Sequence, residues 1–391
     1  MQPKREEMAP QRDLGKLAVE GVRILRVAIR ESVQAAGGEK LHVLPLSGGM
    51  DSRAILGGLL ESIETSRIHT ITFGIPGTWD FDIGTMVAER AGVKNIQIDL
   101  SEVSWNVDTL LEFASQCERP TPLFEAYLFH QTRMHFDKNA VHWSGFMGDP
   151  LAGSHLLRED STAWDVARTR FAERNRFARS VTLTPSAFSP ERWLPESPLL
   201  DSNLLCFDEQ LDFAIRQECY VRPLVLLKGF SYALPFLYPP WVRFMLSVPR
   251  RYRTNQVLYK EILKTAYPKL FALPVKNNFG LPLTASRSRR GLRRQRLRLR
   301  GAARRFLPRI DWGTSPSINY IDFDRGLRDR DDLKAVVYES IQDLKKRRIV
   351  DWIDIDAIWN RHQNRQANHA DALTLLASLE INLKAQETFA G

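Results

Sequence analysis

The sequence is poor in cysteine and has no long apolar run, two features that characterise several common protein classes. It has only three cysteines in 391 residues, Cys117, Cys206 and Cys219, and no Cys-x-x-Cys pair. This argues against a structural zinc, an iron–sulfur cluster and a disulfide framework, and it predicts inert or buried thiols. No run of about 18 apolar residues occurs, and residues 1–7 lack the apolar core of a signal peptide. We therefore expect a soluble, cytoplasmic protein without a transmembrane segment.

The chain also lacks the sequence Gly-x-x-x-x-Gly-Lys-Ser/Thr, which excludes a Walker-type phosphate-binding loop. Residues 41–53 contain a different pattern. The apolar run Leu41–Leu46 leads into Ser47-Gly48-Gly49-Met50-Asp51-Ser52, and apolar residues then recur at helical spacing as far as Ile63. This order predicts a strand, a glycine-rich turn and a helix.

A turn of this kind can bind phosphate. Gly48 and Gly49 allow the backbone to approach an anion closely, and the N–H groups and dipole of the first helical turn attract negative charge. The hydroxyls of Ser47 and Ser52 can add two donors. Asp51 would repel a phosphate unless a cation lay between them, so the turn also implies a magnesium ion. A plain structural turn is the alternative, since one short motif does not exclude it.

The distribution of apolar residues predicts an α/β fold. An apolar stripe from Leu14 to Val33, ended by Gly37-Gly38, predicts a covering helix within residues 1–38. Strands and helices alternate through residues 39–160, which predicts a parallel sheet with its ligand at the carboxyl ends of the strands. Residues 161–391 are predicted to be mainly helical. The predicted strands are Leu41–Leu46, Ile68–Phe73, Ile96–Leu100 and Ala140–Trp143, and the helices between them include Ile83–Ala91 and Leu123–Phe136.

The segment Ser47–Ser52 resembles the pyrophosphate loop of the ATP pyrophosphatase (PP-loop) superfamily, whose members cleave ATP between the α and β phosphates. Later motifs follow in the order of the synthetase domain of the asparagine synthetase family, and the resemblance covers about residues 40–285. These motifs are Tyr232–Leu237, Phe244–Pro249, Leu258–Lys260 and Leu273–Pro282. The resemblance implies an open parallel five-stranded sheet of the PP-loop (adenine nucleotide alpha hydrolase-like) type, followed by a mainly helical C-terminal part.

The resemblance also implies ATP and Mg²⁺ as ligands and assigns individual residues. Asp51 and Asp149 match two carboxylates that hold magnesium on the phosphates, and Lys260 and Lys276 match lysines expected to be catalytic. Thr72-Phe73-Gly74 is expected to contact the adenine. The complete nucleotide-binding set is Ser47, Gly48, Gly49, Asp51, Ser52, Thr72, Phe73, Gly74 and Gly145. By residue type alone, lysine is more often a solvated surface charge, and Asp149 and Gly74 also suit a turn and a strand end.

Two positions depart from the family pattern. Asparagine synthetases have a glutamate directly after the second metal-binding aspartate, where this chain has Pro150. A β-lactam-forming branch has a tyrosine three residues before that aspartate, where this chain has Phe146. Proline and phenylalanine cannot accept a proton, so either another base, His155 or Glu125, acts in the second half-reaction, or the nucleophile arrives neutral.

The N-terminal glutaminase half of the family is not recognised here. Family members that use glutamine begin with a cysteine nucleophile after Met1, whereas residue 2 is Gln2 and only about 40 residues precede the loop. We therefore expect the chain to use free ammonia, another amine or a separate glutaminase.

The net charge of +9 is concentrated in one segment, Arg287–Arg309, which holds eleven arginines and no acidic residue. Such a segment favours contact with a polyanion: nucleic acid, an anionic membrane or an acidic substrate. The alternative is a solvated, arginine-rich helix. The second interpretation is preferred, because no aromatic residue precedes Phe306 to stack on bases.

Three functional hypotheses follow. The first is an ATP-dependent ligase that adenylates a carboxylate, releases pyrophosphate and transfers the acyl group to an amine. The family default is aspartate, but a sugar acid or a peptide is also compatible. The second is a tRNA-modifying PP-loop enzyme, which the basic segment favours. The third is a catalytically degenerate nucleotide-binding protein, which Pro150 suggests.

Overall fold

The computed structural model describes residues 13–117, 119–133, 135, 138–306 and 314–389. Met1 and Gln2, the predicted helix end Phe136 and residues 307–309 of the arginine segment lie outside the described residues. None of the helices in the described part combines the length and apolar content that a bilayer crossing requires.

Five strands form one open, all-parallel sheet in the order β3-β2-β1-β4-β5, which confirms the predicted fold class. From the central strand β1 the chain moves outward through β2 and β3, and then returns to the other side of β1 with β4 and β5. Ligands of such sheets bind at the carboxyl ends of the strands where the order reverses, here between β1 and β4. The strands are β1 His42–Pro45, β2 Ile68–Gly74, β3 Lys94–Asp99, β4 Val141–Trp143 and β5 Ser231–Ala233.

Helices cover the sheet and make up most of the later chain. In the first part they are α1 Leu14–Ala36, α2 Asp51–Ser62, α3 Trp79–Ala91, α4 Val107–Gln116, α5 Leu123–Arg133 and α6 Gly148–Leu151. In the middle part they are α7 Trp164–Arg174, α8 Phe207–Leu211, the π-helical segment Asp212–Val221, α9 Arg222–Val225, α10 Pro239–Ser247, α11 Arg250–Arg253, α12 Val257–Ala266 and α13 Pro268–Phe271. The last part has α14 Arg287–Phe306, α15 Phe323–Asp329, α16 Asp331–Arg347, α17 Ile355–Gln363 and α18 Ala370–Phe389. Short 3₁₀ turns lie at Thr65–Arg67, Leu100–Glu102, Pro190–Trp193, Pro235–Leu237, Thr254–Gln256 and Lys276–Asn278.

Two large buried clusters hold these layers together. The first joins α1, the central strands and α2 to the helices of residues 236–275. The second joins α4 and α5 to the C-terminal helices α15–α18. Apolar burial stabilises by roughly 25 cal/mol per Å² removed from water, so each cluster fixes the loops at its border. The segment Leu273–Pro282 borders the first cluster, and the segment around Asn319 borders the second.

Two local differences separate the predicted elements from the observed ones. The fifth strand, Ser231–Ala233, lies in the part predicted to be mainly helical and pairs with β4. Three residues are too short to show the alternation of a strand. Helix α3 begins at Trp79, four residues before the predicted Ile83; the acids Asp80 and Asp82 of its first turn interrupt the apolar pattern from which the helix was predicted. Acidic residues stabilise that end through the helix dipole.

Candidate nucleotide and magnesium site

The glycine turn lies between the end of β1 and the start of α2, and its own hydroxyls shape it. The backbone N–H of Ser47 donates to Ser52 Oγ at 3.3 Å, and the N–H of Gly49 donates to Ser47 Oγ at 3.2 Å. Helix α2 begins at Asp51, so the N–H groups of its first turn have no acceptor within the helix. The turn therefore presents backbone donors and a positive helix end at the carboxyl edge of the sheet, as an anion site requires.

Gly48 cannot be replaced by a larger residue without moving the turn. A Cβ atom there would lie 2.5 Å from the carbonyl oxygen of Trp79, the first residue of α3. On its other side the carbonyl of Gly48 accepts the N–H of Lys276 at 2.8 Å. The turn is thus clamped between α3 and the loop that carries the predicted catalytic lysine.

The structure brings the two predicted metal-binding carboxylates together. Asp51 follows β1, Asp149 follows β4, and a Cβ on the intervening Gly148 would lie 2.7 Å from Asp51 Cγ. Burial first, and the negative charge of Asp149 second, raise the pKa of Asp51. Tyr259 donates to Asp51 Oδ1 at 2.6 Å and opposes that shift. Gln256 Nε2 donates to Asp149 Oδ1 at 2.7 Å.

This pair suits a magnesium ion. Two facing carboxylates repel each other unless a cation lies between them, and oxygen ligands are those that Mg²⁺ prefers. Gly145 and Gly148 keep the space beside Asp51 free of side chains, since a Cβ on Gly145 would lie 2.9 Å from Asp51 Cβ. Asp51 and Asp149 are therefore the residues that would hold the ion, at the end of the sheet where the glycine turn presents its donors.

Lys276 lies against the glycine turn and is held there by several contacts. Its ammonium group donates to the carboxylate of Asp80 in the first turn of α3, and to the side-chain oxygen of Asn319. Arg53 of α2 is fully buried and donates to the carbonyl oxygens of Leu270 at 3.1 Å and Pro274 at 2.7 Å. These hydrogen bonds attach the segment just before Lys276 to α2, so the position of α2 determines the position of the loop.

Lys260 lies on α12, directly after Tyr259. Its Nζ donates to the carbonyl oxygen of Asn255 at 2.7 Å. Burial first, and the positive charge of Arg290 second, lower the pKa of Lys260, while the charge of Asp149 raises it. These interactions place Lys260 near both the carboxylate pair and the arginine segment, and not out in solvent.

The residues at the end of β2 are engaged within the protein. Thr72 is fully buried, and its hydroxyl donates to the carbonyl of Leu46 at 3.3 Å and to Asn95 Oδ1 at 3.2 Å. The ring of Phe73 stacks on Tyr320 with centroids 5.5 Å apart. Gly74 has φ 145°, which a residue with a side chain rarely adopts. Contact between this strand end and adenine stays a prediction.

The two alternative bases have different surroundings. His155 Nδ1 donates to Asp212 Oδ2 at 2.9 Å, which occupies that ring nitrogen. Glu125 lines a cavity of about 530 Å³ that Asn319 also lines. Burial raises the pKa of Glu125. Pro150 and Phe146 are both buried and provide no titratable group.

Several residues of the site were missed by sequence reasoning. Tyr259 belongs to the motif Leu258–Lys260, so the sequence indicated that it lies near the site. Its contact with Asp51 was not predicted. Asp80 lies before the predicted helix Ile83–Ala91 and Asn319 belongs to no motif, so the sequence signalled neither residue. Gln256 and Arg53 likewise contact the site through tertiary packing.

The arginine segment begins as a helix, α14, one side of which packs on the site. Arg293 Nε donates to the carbonyl of Phe279 at 3.3 Å, and Arg290 lies near Lys260. A neighbouring side of the helix is exposed and carries a row of Arg287, Arg294 and Arg298. The side chains of 304–306 lie outside the description, as do residues 307–309.

A parallel sheet of this order, with a glycine turn after the central strand and a carboxylate after each strand of the central pair, defines an α/β fold of the PP-loop type. Residues 25–202 match the family model described as asparagine synthase. Over these residues the chain is similar to the asparagine synthase family, which confirms the resemblance. The match includes Ser47–Ser52 and Asp149 but ends before Lys260 and Lys276, whose roles stay predictions. A comparison with curated proteins found no match.

Proposed function

We propose that this protein is an ATP-dependent ligase that joins a carboxylate to an amine through an acyl-adenylate. The family match supports a synthetase that uses ATP. The observation that carries the proposal is the placement of Asp51 and Asp149 beside the glycine turn, with Lys276 hydrogen-bonded to Gly48 across it. Anion donors, a carboxylate pair for a cation, and a lysine together suit a triphosphate.

In the first half-reaction a carboxylate oxygen attacks the α phosphorus of ATP. The bond from that phosphorus to the bridging oxygen breaks, and pyrophosphate leaves with the electron pair. The N–H groups of the glycine turn and the hydroxyls of Ser47 and Ser52 would bind the departing phosphates. Lys276 adds a positive charge beside them, where charge develops. Magnesium, when bound by Asp51 and Asp149, would neutralise phosphate charge and orient the triphosphate.

In the second half-reaction the amine nitrogen attacks the acyl carbon. The carbon–oxygen bond to AMP breaks, AMP leaves as an anion, and the nitrogen loses a proton. The nitrogen source stays open, so free ammonia, a larger amine and a separate glutaminase are all compatible with the proposal.

The test is ATP–pyrophosphate exchange with Mg²⁺ and a panel of acids that includes aspartate, sugar acids and peptides. We expect at least one acid to support exchange and AMP formation. Binding of Mg–ATP without exchange for any acid would instead favour a degenerate nucleotide-binding protein. AMP formation with tRNA but with no small acid would favour a tRNA-modifying enzyme, the alternative that the exposed arginines of α14 support.

Two further predictions remain part of this proposal. Contact with a polyanion through Arg287–Arg309 is supported only by the exposed positive charge of α14. A cytoplasmic location is supported only by the composition of the chain.

A further inference from the structure

A cavity of about 530 Å³ lies near Lys276. Asn319 joins the two, because it lines the cavity and its side-chain oxygen accepts a hydrogen bond from Lys276. The path from the turn to the cavity therefore runs through two side chains, Lys276 and Asn319. A molecule in the cavity would lie next to the group that flanks the triphosphate.

The walls of the cavity are partly apolar and partly acidic. Rings of Phe124, Phe177 and Phe323 contribute the apolar part. Four carboxylates line it, those of Glu125, Asp322, Asp324 and Asp371, against the single cation Arg179. This excess of negative charge favours a cationic or hydrogen-bond-donating ligand and disfavours a second carboxylate.

Three of these carboxylates are already used by the protein. Asp322 accepts the backbone N–H of Arg325 at 3.1 Å, and Asp324 pairs with Arg328 at 2.8 Å. Asp371 accepts the backbone N–H of Arg179 at 3.2 Å. Glu125 has no hydrogen bond or ion pair with any described residue. It is the carboxylate of the cavity that is left to contact a ligand.

We infer that this cavity is the amine subsite of the ligase, and that Glu125 binds the amine and accepts its proton. The inference rests on the proposed function. The amine binds as an ammonium and first gives one proton to the Glu125 carboxylate, which frees the lone pair of the nitrogen. When the nitrogen forms its bond to the acyl carbon, a second N–H bond breaks and that proton passes to the phosphate of the leaving AMP. AMP leaves with the electrons of the broken carbon–oxygen bond, so no further reactant is needed.

The neighbours of Glu125 agree with this assignment. Burial raises the pKa of Glu125, which makes its carboxylate a better proton acceptor. The charged or titratable groups around it are Asp322, Asp324, Asp371 and Arg179 in the cavity, together with Tyr220, whose pKa the charge of Glu125 helps to raise. His155 is hydrogen-bonded to Asp212 and does not line the cavity.

The size and the lining of the cavity favour one class of amine. Ammonia fills about as much space as a water molecule, roughly 30 Å³. A cavity of about 530 Å³ with three aromatic rings in its wall therefore suits a primary amine with an apolar body. The chemical class is an alkyl or arylalkyl amine, and not ammonia.

A binding experiment tests the subsite without any turnover. Calorimetric titrations use benzylamine, phenethylamine and hexylamine, with the corresponding neutral alcohols as probes of the apolar part alone. We expect at least one amine to bind saturably and more tightly than its alcohol. Glu125→Gln should weaken that amine about tenfold and leave the alcohol unaffected, because a hydrogen-bonded charge is lost. Glu31→Gln, an exposed acid on α1, is the matched control.

Two results would overturn the inference: no saturable binding of any of these amines, or equal weakening of amine and alcohol by Glu125→Gln.

A kinetic experiment uses an acid that supports pyrophosphate exchange, together with the amine that binds most tightly. The ratio of amide formation to exchange should fall about 100-fold in Glu125→Gln, as expected for loss of a proton acceptor. An unchanged ratio contradicts the role of Glu125, whereas absence of exchange in the unmodified protein contradicts the proposed function.

Discussion

The hydroxyl of Tyr259 donates a 2.6 Å hydrogen bond to Asp51 Oδ1. Tyr259 lies on α12 and Asp51 opens α2, so the bond joins two parts of the chain separated by 208 residues. Tyr259 is fully buried and Asp51 is half-buried, and the donor fixes the orientation of a carboxylate that would hold magnesium. Tyr259 is therefore a positioning residue for the proposed cation.

Removal of this hydroxyl should weaken Mg–ATP binding. Tyr259→Phe leaves the Asp51 carboxylate with one donor fewer, which should weaken the free energy of Mg–ATP binding by about 1.5 kcal/mol, or roughly tenfold in affinity. The measurement is the Mg²⁺-dependent KM for ATP in pyrophosphate exchange. Tyr267→Phe is the control, because the hydroxyl of Tyr267 is buried without a hydrogen-bond partner among the described residues. Equal effects of the two substitutions would contradict the positioning role.

Lys276→Ala should abolish conversion of ATP to pyrophosphate while the protein stays folded. The substitution removes the positive charge beside the glycine turn and leaves Asp80 without its partner, so a small loss of stability is expected. Exchange rate and thermal unfolding are measured together. Lys269→Ala, an exposed lysine on α13, should leave both near the unmodified values. Exchange retained by Lys276→Ala would remove Lys276 from the mechanism.

The sequence predicted the fold in two kinds of segment: those in which apolar residues recur at helical spacing over many residues, and those in which a short apolar run has turn-forming or polar residues at both ends. Helix α1 was expected from a stripe of apolar residues and spans Leu14–Ala36. The four predicted strands lie within a few residues of the observed ones. The fifth, Ser231–Ala233, was not located, because its only support is tertiary: it pairs with β4 at the edge of the sheet.

The site was predictable only as far as local motifs reach. Ser47–Ser52 and Asp149 stand in glycine-rich turns, which leave a pattern in the sequence. Asp80 and Asn319 do not, because their partner, Lys276, is 196 residues away from one and 43 from the other. Such contacts arise from the packing of two buried clusters and have no local signature.

Neutralisation of the exposed row on α14 should weaken binding to a polyanion. The triple substitution of Arg287, Arg294 and Arg298 by Gln should lower the salt concentration at which the protein elutes from heparin. The control replaces Arg23, Arg30 and Arg90 by Gln, which changes the net charge equally at exposed positions elsewhere. If both variants elute at the same salt concentration, net charge explains the retention, and α14 is not a specific polyanion-binding surface.

The stability of the C-terminal helices should depend on pH through His362. This side chain is fully buried, and burial lowers its pKa from 6.5 to about 4. Between these values the unfolded chain binds a proton that the folded chain excludes, so the stabilising contribution is complete above about pH 6.5 and is lost as pH falls towards 4.

His362→Asn tests this dependence, since asparagine keeps an acceptor for the N–H of His369. The free energy of unfolding is measured in urea at about pH 7.5 and about pH 5. The unmodified protein should lose about 2 kcal/mol more than the variant over this range. Equal losses would mean that His362 titrates alike in both states.

The most direct test of the central claim is a crystal structure with Mg²⁺ and an ATP analogue whose α and β phosphorus atoms are joined by a methylene group. We expect the β and γ phosphates on the Ser47–Ser52 turn and the cation between Asp51 and Asp149. A nucleotide bound elsewhere, with this turn empty or filled by protein atoms, would contradict it.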